Sequence, residues 1–122
     1  MDYSKLSDYE VNKYVAMSIG GFEENNFFEA HSVIFKSCGR FQYTCFDPCN
    51  NPADAWPIIV EKKISLLWIE ESSMWCASQG GSAGNEYWGW DECPDFYHAN
   101  PNPLRAAMIA FLMMHESDQS PS

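Results

Sequence analysis

Positive charge is what this chain of 122 residues has least of: five lysines and two arginines stand against 17 acidic residues, for a formal charge of −10. A phosphate backbone is gripped by clustered Lys and Arg, so direct binding of nucleic acid is not expected, nor attachment to an anionic membrane surface. No run approaches the ~18 consecutive apolar residues of a membrane span. The opening Met1-Asp2-Tyr3-Ser4-Lys5 has neither the basic flank nor the apolar core of a signal peptide, which points to the cytosol. The five cysteines (Cys38, Cys45, Cys49, Cys76, Cys93) are an odd number, and reduced thiols are the default there. Leu, Ile, Val and Phe together supply only 24 residues, close to the level at which high net charge signals disorder. Five Trp, six Tyr and six Met offset that shortage, since each aromatic can bury ~150–250 Å². One folded domain is expected over residues 1–116, followed by a flexible polar tail at 117–122.

The pattern along the chain reads as α+β: two β-hairpins packed with three helices, the C-terminal helix central. Ser7-Asp8-Tyr9-Glu10 is a capping box, with Leu6 and Val11 at the positions of a hydrophobic staple. Gly20-Gly21 ends the helix that follows. Residues 30–38 and 41–47 are rich in β-branched and aromatic side chains around Gly39-Arg40, which predicts a hairpin. A short helix is expected from about 55 to 62, with Asp54 as N-cap, because this register puts Pro57 where the missing N–H costs nothing. A second hairpin is expected over 64–69 and 74–78. Residues 79–101 carry four glycines, four acids and five aromatics without a regular period; a structured, partner-facing loop is the expectation. Asn102-Pro103 reads as an N-cap followed by proline at the first helical position, opening a helix to about Glu116 that is apolar nearly all round and so belongs in the core.

Signatures of catalysis are missing: there is no G-x-S-x-G, P-loop, G-x-G-x-x-G or H-E-x-x-H, and His31, His98 and His115 are scattered. The C-x3-C spacing of Cys45 and Cys49 lies within the range of zinc ligands, but there is no second C-x-x-C pair. No catalytic residue, metal or cofactor is expected. Two polar constellations remain. Arg105 stands in the first turn of the last helix, beside the cap Asn102, where a cation is unfavourable for the helix itself. It is either salt-bridged to a carboxylate or part of an anion site with the helix N–H groups. Asn51 and Asp54 beside Trp56 would serve as turn and cap residues next to a core tryptophan, or as hydrogen-bonding edges next to a stacking plane.

Three segments carry a family resemblance: C-N-N-P-A-D-A-W-P-I-I-V-E at 49–61, W-C-A-S at 75–78 and N-P-L-R-A-A-M-I-A-F-L-M-M at 102–114. Together with D-Y-S-K-L-S-D-Y-E-V-N-K at 2–13, they resemble the NinX family of small proteins from tailed bacteriophages and prophages. The resemblance implies a phage accessory protein acting in the host bacterial cytoplasm, and no particular reaction.

The leading functional expectation is a non-enzymatic binder of a small anionic, nucleotide-like ligand, sequestering a signal of host defence. Asn102 and Arg105 would take the phosphate, Trp56 or Trp75 the base, and Asn51 and Asp54 the polar edges. Two alternatives stand beside it: an acidic inhibitor or modulator of a host protein, acting through residues 80–97 as a nucleic-acid mimic, and a small nucleotide-processing enzyme. A homodimer is expected, as is common where small subunits build pockets.

Overall fold

The computed structural model of the chain describes residues 2–79, 82–83, 90–92 and 96–119. Helix α1 (Asp8–Ile19) opens with the full capping box: the Ser7 hydroxyl accepts from Glu10 N–H and the Glu10 carboxylate accepts from Ser7 N–H, both at 3.1 Å. It ends at Gly20, whose φ of 80° suits a residue without a side chain. The chain then runs through strands β1 (Phe27–Phe28), β2 (Val33–Gly39) and β3 (Gln42–Cys45), which form an antiparallel sheet in that order. A register shift between Ser37 and Gly39 marks the turn of the β2–β3 hairpin.

Helix α2 (Pro52–Lys62) starts three residues before the sequence suggests. Its cap is Asn51, whose side chain accepts from Ala53 N–H at 3.0 Å, with Pro52 at the first helical position. Pro57 therefore lies inside the helix. Asp54 has a different job, accepting the Asp47 N–H at 2.9 Å across the preceding turn. The earlier start wins because an Asn cap followed by proline satisfies the first turn without using Asp54.

Strands β4 (Ser65–Ile69) and β5 (Met74–Gln79) form the second hairpin. Strand β8 (Phe96–Asn100) pairs antiparallel with β5, making a sheet of order β4-β5-β8. The short strands β6 (Ser82–Ala83) and β7 (Trp90–Glu92) pair with each other. The expected irregular loop over 79–101 thus contains three strands, hidden from a periodicity reading because they are short and interrupted by glycine. Residues 80–81, 84–89 and 93–95, where much of the expected partner-facing surface falls, lie outside the described residues.

Helix α3 (Pro103–Gln119) packs on β5 and β8 and against α1 and α2. Residues 106–112 are buried without a break, as expected of a helix apolar on all sides. Val11, Val15 and Ala16 of α1, Ile58 and Ile59 of α2, Ile34 of β2 and Ala77 of β5 complete one core. The architecture is α+β, with α3 at its centre.

Candidate functional site

The starts of the three helices meet at one point, and the polar residues of the motifs tie them together. Asn102 caps α3: its side-chain oxygen accepts from Leu104 N–H at 2.9 Å and Arg105 N–H at 3.3 Å. Its amide reaches across to Cys49 C=O at 2.7 Å. Arg105 folds away from its own helix terminus and donates to Asp8 Oδ1 at 2.7 Å, Leu6 C=O at 2.6 Å and Tyr3 C=O at 3.4 Å. The unfavourable placement of a cation at a helix N-terminus is thereby offset by a carboxylate at the start of α1. Tyr3 then closes the far end, donating from its hydroxyl to Glu116 at 2.5 Å.

The turn at 47–50 is threaded into the same knot. Asn12, 5% exposed on α1, donates to Asp47 Oδ1 at 2.7 Å and accepts from Cys49 N–H at 3.0 Å. Asn50 donates to Asp8 Oδ2 at 3.1 Å and to both Asp47 oxygens at 3.2 Å. Cys49 sits beneath, its thiol pushed up to about 12 first by burial and then by the nearby Asp8 carboxylate. Burial and the raised pKa keep this thiol protonated near neutral pH.

Beside this knot lies a cleft of about 450 Å³. Ser7, Asp8, Tyr9 and Asn12 of the α1 start form one wall, Val33, Ile34, Cys45 and Phe46 of the hairpin base another, and Asp47 and Asn50 of the turn a third. An ionised carboxylate offers about four acceptor positions, so Asp8 and Asp47 retain acceptor capacity beyond the bonds they make. The Tyr9 hydroxyl is buried with no hydrogen-bond partner among the described residues. Burial, and next the Glu29 carboxylate, raise its pKa, so it stays protonated and available as a donor. The cleft is an acceptor-rich site.

Of the residues singled out in the sequence, Asn102, Arg105, Asn51 and Asp54 are thus gathered around the helix starts. The two tryptophans are not in the cleft wall. Trp56 projects from α2, 61% exposed. Trp75 lies on β5 opposite Trp68, ring centroids 5.4 Å apart, one ladder pair from the knot through Asn100, which accepts Asn102 N–H at 2.9 Å. Sequence reasoning missed Asp8, Asn12, Tyr9 and Asp47. Asp8 and Tyr9 lay inside the capping box and Asp47 headed the D-P-C-N-N-P turn, where a local structural role was explanation enough. The four described cysteines do not converge: Cys38 and Cys45 are exposed, Cys49 and Cys76 buried. Among the described residues no three His, Cys, Asp or Glu side chains come together as metal ligands.

Among the described residues no helix is long and apolar enough to cross a membrane. No curated protein matches the chain. The family model described as Bacteriophage P22, NinX matches residues 2–115, a span that takes in the helix-start knot and every residue of the cleft. The chain therefore belongs to the NinX family of phage proteins.

Proposed function

We propose that the protein is a non-enzymatic phage accessory protein that captures a small nucleotide-like ligand in the helix-start cleft, in the cytoplasm of the infected host. Removing a host-defence signal from circulation is the service such capture would perform. The observation that carries this reading is the cleft edged by Asp8, Asp47 and Asn50 and lined by Tyr9, whose hydroxyl is buried and unpartnered among the described residues. An unpaired buried hydroxyl costs ~1–3 kcal/mol, a cost that a ligand acceptor would remove. The two carboxylates would in turn take hydrogen bonds from amino or hydroxyl groups of the ligand, giving recognition by donor-bearing edges. An anionic group on the ligand would face solvent, because Arg105 is engaged by Asp8 and two backbone carbonyls.

Native mass spectrometry tests this, with purified protein before and after mixing with a small-molecule filtrate from phage-challenged bacteria. A discrete added mass, released intact on heating and lost in Tyr9→Phe, is the expected result. Equal capture by Tyr9→Phe, or release of a chemically altered product, would overturn it.

A second reading, an acidic modulator of a host protein, has one observation in its favour. Trp56 and Val60, one turn apart on α2, are 61% and 55% exposed, and paired apolar side chains on a helix face suit a protein partner.

A further inference from the structure

Acidic residues are absent from residues 30–46, the stretch that forms the β2–β3 hairpin. With Lys36 and Arg40 it carries +2, while the remainder of the chain carries −12. A second acid-free stretch, residues 96–115, runs into the buried core at 106–112, whereas the acid-free hairpin has an edge strand that is exposed throughout.

It also holds an open edge. Strand β3 ends the β1-β2-β3 sheet, and all four of its residues are exposed. Phe46 N–H donates to Ile34 C=O at 2.7 Å, and antiparallel bonding alternates along the ladder. With Lys36 opposite Thr44 and Ser37 opposite Tyr43, that alternation turns the backbone groups of Tyr43 and Cys45 away from β2. An outward row of this kind is a template for another strand. The turn above it is loaded with apolar surface: Phe41 is 86% exposed, its backbone in the left-handed region at φ 62°, with the Arg40 guanidinium stacked over its ring at 5.6 Å. A phenylalanine held in that region is strained, and here the strain presents a ring to solvent.

We propose that β3 pairs antiparallel with β3 of a second copy, joining the two β1-β2-β3 sheets across a two-fold axis at Thr44. In this register Tyr43 N–H and C=O meet the outward groups of the partner's Cys45, and the reverse, for four backbone hydrogen bonds. Thr44 faces the partner's Thr44, a favourable cross-strand pair. Phe41 falls opposite the partner's Asp47, which brings Arg40 next to a carboxylate of the other subunit's cleft. The arrangement is self-complementary, as a two-fold interface must be. A second copy is favoured over an unrelated strand because the acid-free edge meets itself without repulsion while its neighbouring cation finds an anion across the axis.

Sedimentation equilibrium from about 5 to 500 µM, in reductant to exclude Cys38 or Cys45 disulfides, tests the pairing. The native chain is expected to be dimeric. Thr44→Lys and Thr44→Glu are each expected to be monomeric with circular dichroism unchanged, since Thr44 is exposed, and to lose the concentration dependence of Tm that association gives the native chain. An equimolar mixture of the two should form a heterodimer, because opposite charges then face each other at the axis. A native chain that stays monomeric at 500 µM overturns the proposal. So does a dimer unaffected by both substitutions, or a mixture that fails to reassociate. None of these readings depends on the ligand, so the pairing can fail while the cleft reading stands.

Discussion

Arg105 and Asp8 are 97 positions apart in the chain and 2.7 Å apart in the fold. Their ion pair joins the first turn of α3 to the first turn of α1, and the same guanidinium holds the Leu6 carbonyl. The arginine side chain is 11% exposed and the aspartate 46%, so water screens the acid far more than the base. Removing the arginine would take away the donor that holds the Leu6 carbonyl, while the Tyr3 carbonyl keeps its bond from Leu6 N–H at 3.2 Å.

Arg105→Ala should therefore destabilise the protein by about 2 kcal/mol, the range for hydrogen bonds to a charged group, and lower Tm by roughly 8 °C. Arg105→Lys keeps the charge but loses the fork that spans Asp8 and Leu6, so an intermediate loss is expected. Thermal unfolding of the three proteins checks this. An unchanged Tm with abolished ligand capture would make Arg105 a ligand contact instead.

His98 lies on β8 opposite Ala77, its Nε2 buried with no hydrogen-bond partner among the described residues. Burial lowers its pKa from the ordinary 6.5, with the Arg105 charge adding to the shift. The folded state therefore binds fewer protons than the unfolded one between the lowered value and 6.5. Stability should be level above about pH 6.5 and fall as the pH drops through that window. His98→Gln should flatten this component. Urea midpoints from pH 5 to 8 for both proteins supply the comparison; parallel curves would sink the assignment.

Thiol chemistry should divide the described cysteines cleanly. Cys38 and Cys45 are exposed and should react with a thiol-directed reagent in the native state, while Cys49 and Cys76, both buried with raised pKa values, should react only on unfolding. Mass spectrometry of the labelled peptides reads the order. Early labelling of Cys49 would mean that the knot opens on the timescale of the reaction.

Much of this was legible in the linear chain because its causes are local. The capping box at Ser7, the stop at Gly20, both hairpins and the buried character of α3 follow from neighbouring residues and short-range periodicity. The start of α2 was misplaced because Asn51 and Asp54 are both good caps. What chose between them was the Asp47 N–H, a turn that only the folded chain brings to Asp54. Strand β8 was missed because five residues gain a strand's stability from β5, which lies some twenty positions earlier.

The site divides the same way. That Asn102 caps a helix and that Arg105 stands awkwardly in its first turn are statements about adjacent residues, and the sequence alone determines them. Which carboxylate answers Arg105, that Asn12 bridges Asp47 and Cys49, and that the buried Tyr9 hydroxyl finds no partner among the described residues were decided by tertiary structure. Each depends on bringing together groups from helices and turns remote in the chain, and packing around α3 sets those distances.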